Sequence, residues 1–342
     1  MSFVRFLSPI LFQGIHRKQT YFEGWYFKQT LGLPDGGSGV RTLAFIPGIS
    51  RDRAGNEHAF VQSIDSRDGS TRYFSFPIDV FSWKDHPFEI TIGPNRFSLQ
   101  SVQVNLSDER GSIQGHLRYG HLTPVSYIMG PYTLVPWMEC NHAIASMFHT
   151  VEGSIRIETS GGRTEALLFN PGKGYIEKDW GASMPSSWIW VHANMFERSM
   201  EPTSFFFSLA RIPWMNRYFN GFISVLYTGG RQYRCASYTG GIIDMLESTP
   251  GLTRLLFSDP RYKLELTIRN PDLLGELAAP DLGAMNRRIG ESNSAQIRIV
   301  LKSKHKQSDN PLFDGSAIGA GVELVGDIQS LSPEVLSKRV TF

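Results

Sequence analysis

Short runs rich in Val, Ile, Phe, Tyr and Trp alternate along the chain with glycine-rich punctuation, at 34–39, Gly161-Gly162, Pro171-Gly172, Gly229-Gly230 and Gly240-Gly241. Apolar runs of strand length bounded by turn residues predict strands joined by tight connections, and hence an antiparallel sandwich or barrel. Helical periodicity is scarce. The stretch Ile243 to Phe257, with Leu246, Leu252, Leu255 and Leu256, predicts a turn or two of helix broken at Pro250-Gly251. A second short helix is expected after Ser332, with Ser332 as cap and Pro333 at the first helical position. The most apolar run, Ser204 to Ala210, stops at Arg211 and Pro213, far short of the roughly 20 residues that span a bilayer.

Three segments place polar side chains among aromatic ones. Read with the two-residue period of a strand, Tyr21, Glu23, Trp25 and Phe27 share one face and Phe22, Gly24, Tyr26 and Lys28 the other. A carboxylate on a buried aromatic face must be hydrogen-bonded, ion-paired or protonated, so Glu23 is either a functional acid or a structural one held by an Arg or by backbone amides. In Ser187 to Phe196, the residues Ile189, Val191, Ala193 and Met195 form a plain core face. Trp188, Trp190, His192 and Asn194 form the opposite one, and two indoles with two hydrogen-bonding groups suit a cavity lining. The bland alternative is ordinary core in which His192 and Asn194 satisfy each other or the backbone. Glu177 and Asp179 alternate onto one face, about 7 Å apart along the strand. If both are buried, one could hold a proton near neutrality and act as a general acid; otherwise Lys178 or an Arg neutralises them at a turn. In Pro136 to His149, parity puts Glu139 with Asn141 and Cys140 with His142. His58, Phe60 and Gln62 share a face on which a satisfied core histidine is the commoner outcome.

Composition supports the all-β reading: 33 Gly, 19 Pro and 12% aromatic residues fit poorly into long helices. A length of 342 residues suits one large or two mid-sized domains, and 41% hydrophobic against 19% charged residues sets disorder aside. The net charge is +2, with a basic cluster only at Lys302 to Lys306, which argues against nucleic acid as a partner. Two cysteines, no signal-like N-terminus and no membrane-length run suggest a cytoplasmic, reducing setting. Serine-hydrolase, P-loop and Rossmann motifs are missing. Without HExxH, CxxC or closely spaced His pairs, a metal site would need distant segments, and none is expected.

Taken together, Tyr21-Phe22-Glu23-Gly24-Trp25-Tyr26-Phe27, Tyr175-Ile176-Glu177-Lys178-Asp179-Trp180-Gly181 and Trp188-Ile189-Trp190-Val191-His192-Ala193-Asn194 resemble, in order, the landmarks of the tocopherol cyclase family. Weaker likeness, including Phe45-Ile46-Pro47-Gly48 and Glu291-Ser292, extends from about Tyr21 to about Leu301. Glu23, Glu177, Trp180, Trp190 and Asn194 match the pattern. Asp179 and His192 stand where the plant cyclases carry Asn and Gln, and Glu139 and His142 have no counterpart.

The resemblance implies an all-β protein of two lipocalin-like (calycin) barrel or sandwich domains, distantly similar to carotenoid hydratases. They are expected at 1–155 and 156–342, opened by Glu23-Gly24-Trp25-Tyr26 and by Asp179 to Trp190. It also implies acid-initiated closure of a prenylated phenol to a chromanol, with no cofactor. That chemistry asks for a neutral acid, aromatic faces for a tertiary cation and a group to hold the phenol. The expected catalytic residues are Glu177, Asp179, His192 and Glu23, and Trp25, Trp188, Trp190, Asn194, Glu139 and His142 are expected around the substrate. The partner is a hydrophobic isoprenoid or prenylated aromatic, collected by peripheral contact with a membrane. A carrier without catalysis and an alkene hydratase remain the alternatives.

Overall fold

The structure is a computed structural model that describes residues 8–33, 39–135, 138–197, 199, 201–214, 217–305 and 310–333. Outside this set lie the glycine-rich 34–38, Trp137, the end of the basic cluster and most of the helix expected after Ser332.

The first sheet comprises β1 (Tyr21–Gly32), β2 (Val40–Arg51), β3 (Glu57–Asp65), β4 (Thr71–Phe76), β5 (Phe81–Lys84) and β6 (Glu89–Ile92). It continues with β7 (Asn95–Ser98), β8 (Ser101–Asp108), β9 (Gly111–Tyr119), β10 (Cys140–Thr159) and β11 (Thr164–Gly181). Its order is β4-β3-β2-β1-β11-β10-β9-β8-β7-β6-β5. The second holds β12 (Trp188–Ala193), β13 (Ser204–Trp214), β14 (Arg217–Thr228), β15 (Arg231–Ala236) and β16 (Ile242–Thr249). To these it adds β17 (Leu252–Ser258), β18 (Tyr262–Arg269), β19 (Gly275–Asp281), β20 (Ala284–Ser303) and β21 (Phe313–Val325). Its order is β15-β14-β13-β12-β21-β20-β18-β17-β16, with β19 also paired to β20. In both sheets the first strand lies between the second and the last. The pairings are antiparallel throughout and the remaining elements are short 3-10 turns, so the lipocalin-like all-β expectation holds among the described residues.

Two expectations are corrected. The chain changes sheet between Gly181 and Trp188, not near residue 155: β10 and β11 belong to the first sheet, because β11 pairs with β1 from Phe22↔Gly181 to Thr30↔Lys173. Asp179-Trp180-Gly181 therefore closes the first sheet, and Trp188 alone opens the second. The helix expected in 243–257 is the hairpin β16–β17 instead. Pro250-Gly251 forms its two-residue turn between Thr249 and Leu252, and alternation lets Leu246 and Leu255 reach the core together.

Outer strands show how the pattern makes the layers. On β8, Val102, Val104 and Leu106 are buried while Gln103 and Asn105 are exposed, and Leu264, Leu266 and Ile268 repeat the pattern on β18. The first sheet curls on itself, and Arg72 of β4 bonds across to Asp108 of β8 and the Gly111 carbonyl. Inside the curl lies a core of Trp25, Phe27, Phe97, Leu117 and Phe169. The second sheet surrounds Val191, Phe205, Phe207, Leu255 and Ile299. A third core joins the outer faces of β1, β11 and β12, so β12, most of β1 and the end of β11 are covered on both sides. Among the described residues, no helix is long and apolar enough to cross a membrane.

Candidate active site

A cavity of about 170 Å³ lies in this third layer, between the two sheets. Strand parity decides what reaches it. On β1 the even-numbered face points in, with Phe22, Gly24 and Tyr26; Glu177 and Asp179 come from β11, Cys140 and His142 from β10, Trp188 and Trp190 from β12. Glu291 of β20, Glu323 of β21 and Glu139, just before β10, complete the polar part. Most of the remaining wall is apolar, including Met129, Ile223, Leu277 and Ile289.

Glu177 is 4% exposed. Its Oε2 accepts hydrogen bonds from the Tyr175 hydroxyl at 2.5 Å and the Trp190 indole N–H at 3.1 Å. Burial pushes its carboxyl up to about 7, opposed by His142 and reinforced by Asp179. His142 Nδ1 is 2.8 Å from Asp179 Oδ1, its Nε2 is 3.5 Å from Glu177 Oε2, and its ring stacks on Phe206 at 5.0 Å. Burial disfavours the imidazolium, yet the Asp179 and Glu177 charges prevail and hold its pKa above the ordinary value. The Asp179 side chain is 22% exposed, so the row Asp179–His142–Glu177 runs from a partly wetted carboxylate to a buried one.

The other expected residues divide. Trp188, Trp190, Glu139 and His142 line the cavity with Glu177 and Asp179, and burial, with help from Asp281, raises the Glu139 carboxyl. Glu23 and Trp25 do not, because the odd-numbered face of β1 points into the first core. Glu23 is wholly buried, paired at 2.5 Å with Lys178, and accepts from the backbone N–H groups of Gln13 and Gly14 and from the Tyr21 hydroxyl. Lys178 also donates to the carbonyls of Pro9 and Leu11, and Trp25 Nε1–H donates to the Ile10 carbonyl at 2.9 Å. This is the structural reading of Glu23: backbone amides hold it, and the added cation is a lysine, not an arginine.

His192 and Asn194 share the expected face with the indoles but lie beyond the cavity, packed against β11. The His192 ring stacks on Tyr175 at 3.6 Å with Nε2 at 3.2 Å from the Ser204 hydroxyl, and Asn194 donates to the Gly174 carbonyl. Burial and the nearby Lys28 ammonium drive the His192 pKa well down, which keeps the ring neutral. His58, bonded to Tyr73 at 2.6 Å, is a satisfied histidine.

Tyr26, Glu291, Asn293 and Glu323 were not anticipated. A signal exists in hindsight: Glu291-Ser292-Asn293 is a polar run buried within a strand, and Glu323 sits among Gly321, Val322, Leu324 and Val325.

Fold and cavity together define an all-β, lipocalin-like protein with an acid-rich, indole-lined chamber between its two sheets. The chain belongs to the tocopherol cyclase-like family, which matches residues 140–326. Among solved structures, CghA is similar over 90% of this chain and 89% of its own, with a TM-score of 0.55 and 13% identity. An AttH candidate from Nitrosomonas europaea is similar over 88% and 92%, with a TM-score of 0.50 and 12% identity. Those likenesses concern the fold. No curated protein matches the chain.

Proposed function

We propose that the protein is an enzyme that encloses a prenylated phenol, or a related isoprenoid, and closes it to a chromanol-type ring without a cofactor. The observation that carries this reading is Glu177, a buried carboxyl at the cavity wall that keeps its proton up to about pH 7 and lies beside an indole. Family membership supports a cyclase in the broad sense.

In the proposed sequence, neutral Glu177 donates its proton to the less substituted carbon of a trisubstituted alkene, leaving a tertiary cation. Trp188 and Trp190 border that position, and each ring face contributes up to about 2 kcal/mol toward a desolvated cation. The phenol oxygen attacks, the C–O bond forms, and the phenolic proton leaves, so the net change is an isomerisation. Protonated His142, held by Asp179, returns a proton to Glu177 from the wetter side. Enclosure of the folded tail beside the hydroxyl supplies proximity.

Incubating the protein with a prenylated hydroquinone in D2O and H2(18)O tests the reading. Cyclised product carrying one solvent deuterium, lost in Glu177→Gln, supports it. An alcohol carrying solvent oxygen would make the protein a hydratase, and unchanged ligand retained by the protein would make it a carrier.

A further inference from the structure

Opposite Glu177, on the other sheet, stands a second acid group that the sequence of steps above leaves unused. Glu291 of β20 and Glu323 of β21 are direct partners in antiparallel register, which brings their side chains to one face at cross-strand contact distance. Both residues line the cavity, and each carboxyl lies in the field of the other. Two like charges that close in a dry layer disfavour joint ionisation, so the pair retains a proton.

Donors reach one oxygen of each carboxyl. Glu291 Oε1 accepts from the Tyr26 hydroxyl at 2.5 Å and from Asn293 Nδ2 at 2.5 Å, and Asn293 also donates to the Tyr26 oxygen at 3.0 Å. The Trp188 indole N–H donates to Glu323 Oε2 at 2.5 Å. Lys28 faces the pair from β1, Glu177 and Asp179 from β11, and Arg287 from its own sheet. A pair bearing one proton and one negative charge fits this surround, since burial alone would neutralise both acids.

Tyr26 connects the pair to the ligand space. It lines the cavity, and its ring meets Trp190 edge-on at 5.5 Å, while Trp190 donates to Glu177. The two acid groups thus flank one aromatic partition, and Tyr26, Glu291 and Glu323 all line the cavity.

We propose that Tyr26 with the Glu291–Glu323 pair is the receiving station for the proton of the substrate's phenolic hydroxyl. The inference rests on the cyclase reading. As the C–O bond forms, the phenol O–H bond breaks and its proton passes to the Tyr26 oxygen while Tyr26 hands its own proton to Glu291. The pair goes from one proton to two, and the second leaves to solvent with the product. Acid and base are then separate groups, Glu177 on one side and Tyr26 relaying to Glu291 of the other sheet on the other, and no oxidant or co-reactant enters.

The test uses the full chain and two probes, a prenylated phenol and its methyl ether, with binding read by quenching of indole fluorescence and turnover by product analysis. The wild type is expected to bind the phenol at least 10-fold more tightly than the ether. Tyr26→Phe and Glu291→Gln should bind both alike and lose about 100-fold or more in kcat, within the usual range for a general base. Glu323→Gln should move the acid limb of the kcat/KM profile to higher pH, because a lone Glu291 carboxylate takes up a proton more readily than a pair that already holds one. Tyr26→Phe changes one atom, so it keeps the test open if Glu291→Gln fails to fold. Turnover and hydroxyl preference unchanged in both Tyr26→Phe and Glu323→Gln would overturn the proposal. A wild type that prefers the phenol but makes no ring would instead defeat the cyclase reading and leave a hydroxyl-recognising site.

Discussion

At the scale of single residues, the chemistry turns on where a proton rests. Glu177 and Glu291 are both raised to about 7, chiefly by burial, and the Glu323 carboxyl is raised well above its ordinary value by burial and by Glu291. A turnover that needs neutral Glu177 should fall as pH rises through about 7, visible as the alkaline limb of kcat. Glu177→Gln should lower kcat by about 100-fold or more while the protein stays folded, as measured by near-UV circular dichroism. Asp179→Asn should act more weakly and move that limb to lower pH, because Asp179 raises both His142 and Glu177. Parity made Glu177 and Asp179 legible, since two acids spaced by two residues in an aromatic strand must share a face. It could not reveal Glu291 beside Glu323: 32 residues separate them, and only the register of β20 against β21 brings them together.

At the scale of elements, β1 and β11 divide their two faces between different tasks. One face of the pair holds the cavity acids; the other buries the Glu23–Lys178 ion pair inside the first curl, with the Lys178 ammonium 5.0 Å from the Trp25 ring centre and 4.6 Å from that of Trp180. Removing one member leaves the other charged and unpaired in a dry place, so Lys178→Met should cost about 3–5 kcal/mol by denaturant unfolding. The double variant Glu23→Gln/Lys178→Met should recover part of the loss. Alternation in the sequence separated these faces correctly but could not say which lay inside the curl, because both carry aromatics. That is why Glu23 and Trp25 looked like site residues and Tyr26 did not.

At the scale of the whole molecule, charged groups buried in the layer between the sheets make stability depend on pH. Lys28, wholly buried, donates to the carbonyls of His192 and Gly319 in the second sheet, and burial lowers its pKa to about 7. The unfolded chain then binds more protons than the folded one between about pH 7 and 10.5, so stability rises with pH across that window. Glu177 and Glu291 have the opposite effect: the folded state binds more protons between about pH 4.5 and 7, and stability falls there. Comparing melting temperatures from pH 5 to 10 checks this, and Lys28→Met should flatten the upper rise. The two-sheet plan was legible from its two aromatic openings, whereas the changeover was not, since 156–181 are strand-like in either assignment and only pairing with β1 assigns them to the first sheet.

Because each sheet's earliest strand is flanked by its latest, neither can finish until its whole length has left the ribosome. For the second sheet that moment comes with β21, which carries Glu323 and pairs with β12 more than a hundred residues upstream. Such distant contacts slow folding. The wall that completes the chamber is thus also the final piece to arrive, and a chain cut short before Phe313 would expose the Trp188 and Trp190 seam as sticky, half-built surface.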